Sequence, residues 1–284
     1  MSAPDVAAAV EAVLDRVQLA LDQPRTGIVL GSGLGPLADK IESPTAIAFA
    51  DIPGFGRSTA GGHRGQLIVG HLAGSPVIAM AGRLHRYEGW SDEEVTFPIR
   101  VLHGLGATRL IASNAAGGVN PKLRVGDVLV IRDHINWLHP RAGGALITFR
   151  AGSKAEEPSP HAEIYSSEMA EAALAAARRN GFSATEGTYL ATLGPTYETR
   201  AEYRMMRRIG ADVVGMSTVG EVITAIRCGL SVLALSTVSN VADPDRPVVA
   251  DHQEVLAAGA AAAEKLEAIV RSVLALPHPR GVRG

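Results

Sequence analysis

Apolar residues recur at Val6, Val10, Val13, Leu14, Val17 and Leu21, the spacing of one helix face, and give way at 26–30 to a short β-branched run that ends in glycines. The chain thus opens helix, strand, glycine-rich loop. Further short apolar runs stand at 66–72, 76–80, 108–113, 127–131, 188–193, 212–216 and 230–238, with helical patterns at 94–105, 167–179, 200–209, 221–227 and 252–276. Strands alternating with helices predict an α/β fold with a mixed, mostly parallel central sheet flanked by helices, antiparallel where two runs follow closely around 70–75. Residues 139–161, rich in Gly, Pro, Ser and charge, read as a long surface loop. The alternation resumes after that loop, so residues 1–284 are expected to form a single domain.

Polar residues at the strand ends carry the chemical signal. Thr199-x-x-Glu202 and Thr218-x-x-Glu221 each fit a capping box. Each box would set Glu198 or Ser217 one residue ahead of the cap, at the carboxyl end of a strand, where open α/β sheets bind ligands. Asp251-x-x-Glu254 places His252 in a first helical turn the same way, and Asn114 and Asn240 close the strands 108–113 and 230–239. Each residue alone has an ordinary structural reading, as a helix-start carboxylate, a turn amide or an exposed imidazole. Their convergence on one sheet edge predicts a site.

The loop Gly31-Ser32-Gly33-Leu34-Gly35 follows a buried strand, so its amides and the Ser32 hydroxyl suit an anion. A dinucleotide fingerprint is the rival reading. Pro36 stands where that motif wants Gly, yet Asp51 lies at the right distance for its ribose-binding acid. Arg83-Leu84-His85-Arg86-Tyr87-Glu88-Gly89 reads either as a solvated basic turn or as an extended segment presenting Arg83, His85 and Tyr87 on one side. That side would suit a phosphate dianion, with Arg83 a bidentate donor, His85 a second donor and the Tyr87 ring a wall for a ribose. Gly62-His63-Arg64-Gly65 is a second basic loop that also reads as a plain turn, and the histidine spacing predicts no metal site.

Composition narrows the class. With 27 Lys plus Arg against 29 Asp plus Glu, a net charge of −2 and 46% hydrophobic residues, the chain is neither disordered nor collagen-like. It carries no electrostatic footprint for nucleic acid or an anionic membrane, so any phosphate site must be a local pocket. The single cysteine, Cys228, excludes an intrachain disulfide and a cysteine-based zinc site. No basic, apolar leader pattern opens the sequence, and no apolar run approaches the ~20 residues of a membrane helix. A cytoplasmic protein is expected.

Gly31 to Gly35, Gly62-His63-x-Gly65, Gly82-Arg83-x-His85-x-Tyr87-Glu88-Gly89, Asn114-Ala115-Ala116-Gly117-Gly118, Arg132-Asp133-His134-Ile135-Asn136, Gly194-Pro195-x-Tyr197-Glu198-Thr199 and Gly215-Met216-Ser217-Thr218-Val219 occur in this order. Together they resemble the trimeric purine nucleoside phosphorylases from about residue 28 to the C-terminal helix. The resemblance implies a phosphorylase/hydrolase-like α/β fold, a homotrimer, and phosphorolysis of purine (2′-deoxy)ribonucleosides to base and ribose 1-phosphate, with inorganic phosphate as co-substrate and no cofactor. By that resemblance Ser32, His63, Arg83, His85, Ala115 (through its amide) and Ser217 would hold phosphate. Tyr87, Met216 and His252 would contact the ribose, and Tyr197, Glu198 and Asn240 the base. Asn240, Glu198 and His85 would carry the catalysis.

These residue types suit that chemistry. Cleaving an N-glycosidic bond develops positive charge on the sugar and negative charge on the departing purine, so an anion is needed near C1′ and a donor at the base. Asn240 could donate to N7, while Glu198 accepts from N1–H, which favours 6-oxopurines such as inosine and guanosine over adenosine. Related methylthioadenosine phosphorylases tend to carry Asp at the Asn240 position, which leaves an adenosine or methylthioadenosine substrate as the runner-up. A dinucleotide-dependent oxidoreductase and a catalytically silent nucleoside-binding homologue are the remaining alternatives.

Overall fold

The computed structural model describes residues 5–31, 34–57, 64–138, 163–245 and 252–278, with the backbone alone for 252–257. In chain order the elements are α1 (Val6–Leu14), β1 (Arg25–Val29), β2 (Glu42–Ala48), β3 (Gln66–Leu72), β4 (Ser75–Ala81), α2 (Asp92–Gly104), β5 (Ala107–Gly118), β6 (Val128–Asn136), α3 (Ser167–Arg179), β7 (Ala184–Ala191), α4 (Arg200–Arg208), β8 (Val213–Gly215), α5 (Val219–Arg227), β9 (Ser231–Val241) and α6 (His252–Leu274). Among the described residues no helix is long and apolar enough to cross a membrane.

All nine strands join one sheet in the order β2-β3-β4-β1-β5-β8-β7-β6-β9. Five pairings are parallel and four antiparallel, so the mixed character is stronger than the expected mostly parallel sheet. The β3–β4 hairpin is antiparallel, as the close spacing of its runs predicts. The sheet is open at β2 and closes on itself at the other side, because β9 pairs with both β6 and β5. Strands β5, β8, β7, β6 and β9 therefore form a ring. A register shift between Ala116 and Gly117 marks the bend of β5, where it leaves its long parallel ladder with β9 and meets β8.

Alternating side chains feed two apolar layers. Val29, Ile78 and Met80 join α1, α2 and α5 on one face, while Ile28, Leu30, Val77 and Ala79 join α3 and α6 on the other. Both faces of the central strands are buried, and this is why their sequence reads as continuous apolar runs. The edge strand β2 escapes such a reading because Ile47 is its sole buried residue. The opening apolar stripe also runs beyond its helix: α1 ends at Leu14, and Val17 and Leu19 reach the core from non-helical chain. Pro24 bars any extension of that helix into β1. The expected loop at 139–161 lies outside the described residues.

Candidate active site

A cavity of about 350 Å³ opens where the carboxyl ends of β1, β4, β5, β7, β8 and β9 converge. It is lined by nine of the twelve residues singled out in the sequence: Arg83, His85, Tyr87, Ala115, Tyr197, Glu198, Met216, Ser217 and Asn240. Ser32 and His63 lie outside the described residues, as does the side chain of His252, whose backbone begins α6.

One end of the cavity is cationic. Arg83, buried just beyond β4, donates from Nη1 to Ser217 Oγ at 3.0 Å and to Thr218 Oγ1 at 3.3 Å, and its Nε pairs with Glu221 Oε1 at 3.0 Å. Gly31 hugs this group so closely that a Cβ there would lie 2.1 Å from the Ser113 carbonyl oxygen and 3.2 Å from Arg83 Nη1. Glycine is required at that position by space. His85 Nδ1 meets Glu88 Oε1 at 2.8 Å, and its ring stacks on Tyr87 with centroids 4.7 Å apart. Burial pulls the His85 imidazole below its ordinary value, an effect that Glu88 opposes and Arg83 reinforces. In the neutral tautomer that donates from Nδ1 to Glu88, Nε2 would be an acceptor suited to the protonated oxygen of a phosphate.

The junction after β8 departs from the expected capping box. Thr218 makes no capping hydrogen bond, and its φ of 73° is a strained value for a β-branched residue. Its hydroxyl instead accepts from Arg83 and from Asn114 Nδ2 at 2.9 Å. Glu221, expected at the cap, is 2% exposed and turned inward to the guanidinium. Burial raises its carboxyl, while Arg83 counters that rise. Asn114, bonded to Thr218 and to Ser236 Oγ at 2.8 Å, holds this junction. The box at Thr199 and Glu202 does form and starts α4 as predicted.

The other end of the cavity is built around Glu198 and Asn240. Glu198 Oε1 accepts from Thr192 Oγ1 at 3.3 Å and Oε2 from Tyr203 Oη at 3.1 Å. Burial pushes the Glu198 carboxyl up, while its own backbone amide and then the Tyr203 and Thr192 hydroxyls push it back. Asn240 Oδ1 lies 3.0 Å from Ser239 Oγ, a hydroxyl that also lies 3.2 Å from the Ala116 carbonyl oxygen. Tyr197 stands at the mouth, 46% exposed. Met216 packs against Gly194, where a Cβ would fall 2.2 Å from the sulfur and φ is 68°.

The extended segment expected from Arg83 to Tyr87 is interrupted, since Arg86–Glu88 forms a turn of 3-10 helix, yet Arg83, His85 and Tyr87 still reach one cavity. Thr192, Tyr203 and Glu221 were not legible as site residues. Tyr203 carried a signal of sorts: it is an aromatic residue with a polar tip on an otherwise strongly polar helix, five residues from Glu198.

Residues 25–275 match the family model described as phosphorylase superfamily. The chain is 46% identical over 235 residues to purine nucleoside phosphorylase 1 of Geobacillus stearothermophilus, covering 82% of this chain and 84% of that protein. It is 43% identical over 267 residues to the purine nucleoside phosphorylase of Rattus norvegicus, covering 91% of each. Two solved structures superpose with TM-scores of 0.84: a schistosoma purine nucleoside phosphorylase with hypoxanthine, 36% identical and covering 96% of this chain and 97% of that one, and the Schistosoma mansoni enzyme with adenosine, 37% identical with the same coverage. Similarity at this level over nearly the whole length, in sequence and in fold, shows that the chain belongs to the phosphorylase superfamily, among the purine nucleoside phosphorylases.

Proposed function

We propose that the chain catalyses phosphorolysis of purine (2′-deoxy)ribonucleosides, preferring the 6-oxopurines inosine and guanosine. The observation that carries this reading is the polarity of one cavity, with Arg83 and Ser217 at one end and Glu198 and Asn240 at the other. Inorganic phosphate at the Arg83 end is both nucleophile and counter-charge. One phosphate oxygen bonds to C1′ as the C1′–N9 pair leaves with the purine. In this proposal Arg83, the Ser217 hydroxyl and the Ala115 amide hold the anion, joined by Ser32 and His63, while His85 Nε2 accepts from its protonated oxygen. Tyr87, Met216 and His252 take the ribose. Tyr197 covers the base, Asn240 donates to N7 as charge enters the ring, and Glu198 accepts from N1–H.

No enzyme nucleophile and no cofactor enter this scheme. The homotrimer and a role in purine salvage belong to the same proposal and rest on the family resemblance, while a cytoplasmic setting is proposed from the sequence, with the lone cysteine as support for a reducing compartment.

The test is direct. The purified protein is incubated with inosine, adenosine or methylthioadenosine, with and without phosphate, and base and ribose 1-phosphate are measured. Phosphate-dependent release from inosine, well ahead of the other two, is expected. Faster release from adenosine or methylthioadenosine overturns the base preference, and no release from any nucleoside overturns the reaction. Light scattering of the same sample reads the oligomeric state.

A further inference from the structure

Glu198 faces a physical difficulty that its motif does not reveal. A carboxylate withdrawn from water tends to take up a proton unless something favours its charged form, and among the described residues no cation pairs with Glu198. Its neighbours are the hydroxyls of Thr192 and Tyr203, one to each oxygen. The charge of Glu202 opposes its ionisation from α4, and Asn240 on β9 brings an amide without charge. The Glu198 backbone amide and these two O–H donors therefore supply what a cation would elsewhere.

We propose that Thr192 and Tyr203 are positioning residues that set base specificity, holding Glu198 as an acceptor-only carboxylate. The inference rests on the cavity being a purine site and deepens that reading. A phenol has one proton to give. Donating it to Glu198 Oε2 commits the Tyr203 hydroxyl to the carboxylate.

Ionised Glu198 accepts the N1–H of a 6-oxopurine. Protonated Glu198 would offer a hydrogen to N1 of adenine instead, so the protonation state of this one group divides the two substrate classes. Burial pushes it towards the protonated side, and its backbone amide together with the two hydroxyls towards the ionised side.

The experiment measures kcat/KM for inosine and for adenosine, with saturating phosphate, across the acid-to-neutral range in wild type, Tyr203→Phe and Thr192→Val. Both substrates share His85 and the phosphate end, so the ratio of the two values isolates the base end. Loss of one hydrogen bond to a charged group predicts a fall of about tenfold in the inosine-to-adenosine ratio for Tyr203→Phe, with a smaller fall for Thr192→Val. The acid-side drop of that ratio moves to higher pH in both variants, because each loses a donor to the ionised form. Calorimetric binding of hypoxanthine and adenine gives the corresponding ratio without chemistry, and thermal melting verifies that the variants are folded.

A wild type that discriminates, with variants that keep its ratio and pH profile or lose both substrates equally, overturns this inference and leaves the purine reading standing. A wild type that cleaves neither nucleoside and binds neither base overturns both.

Discussion

At the Arg83 end of the cavity recognition rests on a buried guanidinium paired with a buried carboxylate, whereas at the Glu198 end a carboxylate is held by neutral hydroxyls. The difference follows from what each end would bind. A phosphate dianion is recognised mainly by charge, which in the proposed function Arg83, held by Glu221, would supply. A purine edge is neutral and is recognised by its pattern of donors and acceptors, so a strong local cation there would blur the reading. The cationic end is accordingly the costlier one to disturb.

The sharpest break in this comparison is Arg83→Met. It leaves Glu221 buried without its partner, for which a loss of about 3–5 kcal/mol of stability is expected in urea denaturation, together with loss of phosphate-dependent turnover. Burial already pushes the Glu221 carboxyl above its ordinary value, and without Arg83, which counters that rise, it goes higher. A group raised in the folded state gives stability that is present at low pH and lost as pH rises through its folded value, so the variant recovers part of its deficit on acidification. A pH-independent deficit would show that Glu221 is not the source.

At the opposite end, Asn240→Asp should change selectivity more than stability. A carboxyl sharing its proton can bond N7 and a 6-amino group together, so inosine turnover falls and adenosine turnover rises, by at least about tenfold in their ratio. If kcat/KM for inosine fell with no gain on adenosine, the assignment of Asn240 to N7 would fail.

A smaller effect follows from pH. Burial holds both His85 and His134 below the ordinary value of 6.5. Their unfolded forms take up protons first on acidification, so their contribution to stability is intact above about pH 6.5 and declines below it. Melting temperatures of wild type and His85→Gln against pH should diverge only on that acid side. The smallest effect is expected at the formed capping box: Thr199→Ala, which removes the acceptor of the Glu202 amide at 3.2 Å, should cost about 1 kcal/mol and leave the inosine-to-adenosine ratio unchanged.

The contrast between the two threonine boxes shows how much could be read from local pattern. Thr199 and Glu202 are exposed, so nothing competes with the cap and the motif forms. Thr218 and Glu221 carry the same residue types at the same spacing, but Arg83, just past the end of β4, reaches them across the core and takes both side chains. Spacing cannot distinguish these cases because the competitor lies 135 residues away in sequence. Edge strand β2 escaped for a different reason, since a strand with a single buried residue has no period to detect.

Local sequence by itself determined the alternation of strands and helices, the antiparallel hairpin and the polar residues at strand ends, because burial period and turn chemistry act over a few residues. The closure of β5, β8, β7, β6 and β9 into a ring, the inward turn of Glu221 and the clamp of Thr192 and Tyr203 on Glu198 were decided only by the tertiary structure. Each depends on which groups from distant segments share a water-poor space, where a charge or hydroxyl bonds to whatever partner the fold brings to it.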